Sequence, residues 1–218
     1  MPVSLPSWRP WADAGRCEEQ GSGGAEEQGS LEMEKIHPST PAPSHLCSSK
    51  VNREVYQTMM SPLYLYRDVV RPEWLDYNNH MTEGYYAVVF ANASDAFIDY
   101  ARMDAAYRQR THCSIYTVET HITYQRELKV GSPLRFASRL LGYDSKRIHI
   151  FHEMFHEDEG FLAATFEAMM LHVDLQQVKS VPMPAETLAW LAEIHAAHKE
   201  LPLPEQVGRG IRAAVRLG

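Results

Sequence analysis

The chain has 218 residues, enough for one ordinary domain with length to spare, and its 44% hydrophobic and 22% charged content is that of a folded globular protein. Lys and Arg total 21 against 28 Asp and Glu, a net charge of -7 without a basic block, which argues against a non-specific nucleic-acid binder. No apolar run approaches the ~18–20 residues of a membrane span.

Residues 1–50 hold 19 Gly, Pro or Ser but only 5 Leu, Ile, Val or Phe, too little apolar surface to offset chain entropy. A disordered extension is expected over residues 1–58, then an ordered domain over 59–200 and a tail over 201–218 with Pro202, Pro204, Gly208 and Gly210. Cys17, Cys47 and Cys113 form no C-x-x-C pair, and the N-terminus lacks a secretory or mitochondrial pattern, so a reducing cytoplasm is the expected location.

Tyr64 to Val70 is β-branched and aromatic and reads as a strand closed by Pro72. A polar loop, Asp76-Tyr77-Asn78-Asn79-His80, leads to Thr82 and Glu83, which suit a helix start. Tyr85, Val88, Val89, Ala93, Ala96, Phe97 and Tyr100 then recur at helical spacing. From Ser114 the period drops to two. Ser114–Glu127, Leu134–Tyr143, Lys146–Glu157 and Leu162–Val173 read as a four-stranded antiparallel meander, and Pro184 opens a last helix to about Lys199. One antiparallel sheet against one long helix is an α+β arrangement, and its uncovered edges predict a homo-oligomer.

His152-Glu153-Met154-Phe155-His156 matches the H-E-x-x-H zinc motif, which works only on a helix. On the strand predicted here the two histidines stand roughly 13 Å apart, too far to share one zinc at ~2 Å each. They are expected to be polar, partly exposed strand residues, and no metal is expected. The sequon Asn92-Ala93-Ser94 falls inside the predicted helix, and Cys113 reads as an inert core residue.

The segment Arg71 to Glu83 puts a carboxylate, Asp76, and an imidazole, His80, on a loop running into the long helix. The first amides of that helix, around Thr82 to Tyr85, lack intrahelical partners and sit at the positive end of its dipole. A carbonyl oxygen placed there meets an oxyanion site, and Asp76 could attack the carbonyl carbon or deprotonate a water. Asp76 and Asn79 serve equally well as loop-forming and capping residues. Spacing alone leaves both readings open.

The run Asp76-Tyr77-Asn78-Asn79-His80-Met81 before an apolar helix resembles the D-x-N-G-H-[MV] loop of hot-dog-fold thioesterases of the 4-hydroxybenzoyl-CoA thioesterase type. The similarity runs over about residues 62–200. Arg71 to Glu83, Tyr116 to His121, Asp144 to Arg147, Met169 to Asp174 and Leu201 to Glu205 resemble more narrowly the branch acting on betainyl-CoA in carnitine breakdown, which also occurs fused to L-carnitine dehydrogenase. The resemblance implies an antiparallel sheet wrapped around a long central helix, with a C-terminal helix added. It implies an acyl-CoA substrate, a homodimer or homotetramer with sites at a subunit interface, association with L-carnitine dehydrogenase, and no cofactor or metal. The catalytic aspartate falls on Asp76, the carbonyl-polarising helix amide near Glu83, and the family histidine on His80, taken to orient the loop. Asn79 stands where many members have glycine, and asparagine tolerates positive φ better than most residues.

The trimethylammonium group of betaine donates no N–H bond and is held by aromatic faces with a carboxylate nearby. Trp74, Tyr77, Tyr85, Tyr86 and Tyr116 are candidates for that cage and Glu119 for the counter-charge, although a regular strand would point Tyr116 and Glu119 to opposite faces. Lys146 and Arg147 are the candidate CoA-phosphate ligands, with Arg126, Lys129, Arg135 and Arg139 also available. An aryl- or fatty-acyl-CoA thioesterase and a non-catalytic acyl-CoA-binding module are the competing functions.

Overall fold

A computed structural model describes residues 61–210; the extension expected over residues 1–58, with Cys17 and Cys47, lies outside the described residues. The elements are β1 (Leu63–Val69), a 3-10 turn (Pro72–Trp74), α1 (Glu83–Tyr100), α2 (Ala105–Thr111), β2 (Cys113–Tyr124), β3 (Pro133–Tyr143), β4 (Arg147–His156), β5 (Leu162–Asp174), β6 (Lys179–Ser180) and α3 (Ala185–His198). Helix α2 is missing from the sequence reading because seven residues are too few to show a period. Its signal was local: the Asp104 carboxylate caps it by accepting from the Tyr107 amide at 2.8 Å.

The strand order is β1-β3-β4-β5-β2, with the short β6 paired to β5. This corrects the four-stranded meander. Strands β3, β4 and β5 are consecutive neighbours, but β2 crosses to the far side of β5 and becomes an edge. The crossing is possible because β2 stops at Tyr124, where the Gln125 and Arg126 amides both donate to Ala163 O, at 2.8 and 3.1 Å. Residues 125–132 are then free to travel.

Helix α1 lies against one face of this sheet and buries Tyr86, Val89, Phe90, Ala93, Ser94, Phe97 and Ile98. Phe90 meets Phe136 edge-on at 5.7 Å and stacks on Phe166 at 5.1 Å, with Leu140, Ile148, Ile150 and Met154 completing the contact layer. The predicted stripe was rotated. Val88 is exposed, because two positions from Phe90 is about 200° around a helix and points away from the sheet. The sheet curled around α1, with α3 beside it, is the hot-dog arrangement.

The H-E-x-x-H stretch lies in β4, but its imidazoles are not partly exposed: His152 and His156 are both buried. His152 sits under α1 in a three-residue network. Ser94 Oγ donates its one proton to Phe90 O at 2.9 Å, so His152 Nε2, 3.1 Å away, is the donor to Ser94. His152 Nδ1 then accepts from Ser138 Oγ at 2.8 Å. Phe90 and Phe166 stack against the ring, and burial pulls its pKa down to about 3. His198, at the end of α3, accepts from the Leu140 amide at 2.8 Å, and burial first, then Arg139, lowers it to about 4.

Both imidazoles are neutral in the folded protein and titrate normally when unfolded, so the unfolded state binds more protons once the pH falls below about 6.5. Stability therefore declines on acidification, by about 2 kcal/mol for each histidine between pH 6.5 and 5. Urea titrations at pH 7 and pH 5 check this. His152→Gln, which keeps a donor and an acceptor, is expected to remove about half of the difference between the two curves.

Candidate active site

The loop before α1 is closed by a bridge between Leu75 and Met81, which forces residues 76–80 into a tight turn. Backbone bonds hold it: Asp76 N donates to His80 O at 2.8 Å and Asn79 N to Asp76 O at 3.1 Å. Asn79 adopts φ +60°, the left-handed conformation that glycine favours and asparagine tolerates. The turn aims two amides at one carboxylate oxygen. Asp76 Oδ1 accepts from Asn78 N at 2.8 Å and His80 N at 3.1 Å, whereas Oδ2 has only the Asn78 side-chain amide, at 3.5 Å. The His80 amide, helped by the Asn78 amides against the opposing desolvation, holds the Asp76 pKa below the usual carboxylate value. Asp76 is thus a carboxylate at neutral pH, with one oxygen tethered and the other largely open.

Three residues past that turn α1 begins. Thr82 N donates to Trp74 O at 2.8 Å, and Tyr85 N folds back to Thr82 O at 3.0 Å. Thr82 makes no side-chain capping bond, so among the described residues the Glu83 and Gly84 amides have no acceptor. They face outward at the positive end of an 18-residue helix.

A cavity of about 350 Å³ opens beside this helix end. Met81, Glu83 and Tyr86 line it from the helix side, and Tyr124, Gln125, Arg126 and Glu127 from the segment leaving β2. Met81 N donates to Leu128 O at 2.8 Å, and the His80 imidazole lies 3.4 Å from the Glu127 carboxylate. The Tyr86 and Tyr124 rings meet edge to face at 5.1 Å and 89°. Burial, then Tyr124 and Glu127, raises the Tyr86 phenol to about 12; burial, then Glu83, raises that of Tyr124. Both carboxylates therefore bear on the same pair of rings.

Of the residues singled out from the sequence, Asp76, Asn79, His80, Glu83 and Tyr86 gather at this end of the molecule. Trp74 is buried, stacked on the half-buried Tyr85 at 5.5 Å and covered by the Arg71 guanidinium at 5.0 Å. Tyr77 projects from the turn, 94% exposed, and does not line the cavity. Tyr116 and Glu119 do share a face, against the regular-strand expectation. A bulge between Thr117 and Glu119 inserts one residue, so Tyr116 pairs with Leu171 and Glu119 with Met169, two positions apart on β5. That face is the one turned away from α1. There Glu119 borders a second cavity, about 310 Å³, with His149 and Glu167. The tail crosses this face, Arg139 donating to Pro202 O at 2.6 Å and Gly208 N to Glu167 at 2.7 Å.

Lys146 and Arg147 lie at the other end of the sheet. Arg147 pairs with Leu171 and Tyr124 with Ala164, seven residues along β5, or about 23 Å. Arg147 is also bridged to Asp144 at 2.6 Å. Within one subunit both therefore stand far along the sheet from the cavity beside α1. Arg126 lines that cavity, with its guanidinium over Phe161 at 3.9 Å and 3.7 Å from Glu159. Tyr124 and Glu127 were missed. No spacing rule connects them to a loop some fifty residues earlier, and only the return of β2 alongside α1 does so.

The family model described as "Thioesterase-like superfamily" matches residues 70–191, and the chain belongs to that family. It is 38% identical over 153 residues to "Betainyl-CoA thioesterase" of Pseudomonas aeruginosa, covering 70% of this chain and 96% of that protein. It is 46% identical over 156 residues to "L-carnitine dehydrogenase/betainyl-CoA thioesterase" of Agrobacterium fabrum, covering 72% of this chain but only 31% of that longer protein. Among solved structures it resembles the hypothetical protein SAV2348 from Staphylococcus aureus in complex with CoA, with a TM-score of 0.65 and 26% identity over 70% of this chain and 97% of that one.

The positive φ at residue 79 yields a direct test. Asn79→Gly is expected to change stability by no more than about 0.5 kcal/mol, whereas Asn79→Val costs about 1–2 kcal/mol, because a β-branched residue is strained there. Thermal unfolding of the two variants checks the difference.

Proposed function

We propose that this protein is an acyl-CoA thioesterase that hydrolyses betainyl-CoA to glycine betaine and CoA. The observation that carries the reaction class is Asp76, tethered through Oδ1 and open at Oδ2, on the turn that leads into the unpaired Glu83 and Gly84 amides. The names of the relatives supply the acyl group.

The thioester oxygen sits at the two helix amides, which gain hydrogen bonds as negative charge builds on it. Asp76 Oδ2 either takes a proton from an attacking water or adds to the carbonyl carbon itself, forming an anhydride that water then opens. In both routes the C–S bond breaks, the acyl carbon gains a water oxygen, and a proton leaves with CoA as its thiol. Asn78 and His80 act through their backbone amides by keeping Asp76 ionised and aimed. Asp76→Asn is expected to stay folded and lose at least about a thousandfold in kcat, measured as thiol release from betainyl-CoA. Turnover at the wild-type rate would remove Asp76 from the mechanism.

The working unit in this reading is a homodimer or a pair of dimers. Strand β2 is a 12-residue edge that presents Tyr116, Val118 and Tyr124 to solvent. Antiparallel pairing of two β2 edges about a two-fold reverses one strand, bringing the partner subunit's Lys146 and Arg147 toward this subunit's Tyr124 and supplying cations for CoA phosphates. Light scattering is expected to report a dimeric or tetrameric mass that Val118→Arg shifts toward the monomer; a monomeric wild type would sink the arrangement. We place the protein in the cytoplasm, working beside an L-carnitine dehydrogenase as the fused relatives suggest. Among the described residues no helix is long and apolar enough to cross a membrane.

A further inference from the structure

We propose that the trimethylammonium group is read by Tyr124 and Glu127, with Tyr86 and Glu83 behind them, rather than by the aromatic residues of the loop before α1. This rests on the betainyl-CoA reading above and assigns the residues that select the acyl group.

Three observations carry it. The first is position: these four side chains line the cavity beside the amides of α1, so an acyl group whose carbonyl meets those amides extends along them. The second is the aromatic geometry. Tyr86 is buried and holds Tyr124 edge to face at 5.1 Å, while Tyr124 is 51% exposed and keeps ring surface open to a ligand. Aromatic faces attract cations that cannot donate hydrogen bonds.

The third is charge. Glu83 and Glu127 place two carboxylates on the wall of a site where negative charge must develop on a carbonyl oxygen. For a neutral acyl group that wall opposes the reaction. For an acyl group with a fixed cation on the carbon next to the carbonyl, the carboxylates and the developing oxyanion both find a positive partner. Arg126 also lines the cavity, but its guanidinium is shared with Glu159 at 3.7 Å and lies over the Phe161 ring, so it offsets the two carboxylates only in part, and the His80 imidazole stands 3.4 Å from Glu127.

The test compares two substrates of the same shape, betainyl-CoA and 3,3-dimethylbutanoyl-CoA, in which carbon replaces the quaternary nitrogen. The readout is the ratio of their kcat/KM values, measured by thiol release. Wild type is expected to favour the cationic ester at least tenfold. Glu127→Gln and Tyr124→Leu, both at exposed positions, are each expected to lower that ratio about tenfold, while Tyr124→Phe, which keeps the ring, holds it within about threefold. A wild-type ratio near one overturns the betainyl reading and this assignment together. A high wild-type ratio that survives Glu127→Gln and Tyr124→Leu overturns the assignment alone, as does a Tyr124→Phe variant that falls as far as Tyr124→Leu.

Discussion

The site depends on one constraint: α1 is buried along its length yet left open at its first turn. Phe90, Ala93 and Phe97 lose all contact with solvent against the sheet, which fixes the helix axis. Such packing is rigid because protein interiors are close-packed and a shifted helix would open voids. The Ser94–His152–Ser138 network adds a directional lock, joining the middle of the helix to strands β4 and β3. With the axis set, the Glu83 and Gly84 amides point to one place without any side chain to orient them.

The loop before the helix uses the same economy. Asp76 is aimed by main-chain amides of the turn it begins, so its geometry follows from backbone conformation, and the left-handed residue at 79 makes that conformation possible. The same amides hold the Asp76 pKa below the ordinary carboxylate value. Met81 N on Leu128 O joins this loop to the segment leaving β2, bringing the reacting carboxylate and the Tyr86–Tyr124 wall to one end of the sheet.

Much of this was legible in the chain. Asp76, Asn79, His80 and Glu83 lie within eight residues, where local rules for turns and helix starts apply. The strands announced themselves through alternation, and the H-E-x-x-H stretch read as a strand from its β-branched and aromatic neighbours. Errors came where a side chain's surroundings lie far away in sequence. His152 looked partly exposed because imidazole is polar, but two serines from other elements satisfy both its nitrogens.

The amino-acid sequence by itself determined the turn, the carboxylate that begins it and the helix start that follows, since each depends on backbone preferences of adjacent residues. Only the tertiary structure decided what stands across from them. The crossing of β2 to the far side of β5 places Tyr124 and Glu127 beside Glu83, and the bulge after Thr117 turns Tyr116 and Glu119 together onto the opposite face. Both are set by hydrogen-bond register between distant strands, which shifts every side chain on a strand at once and leaves no trace in local composition.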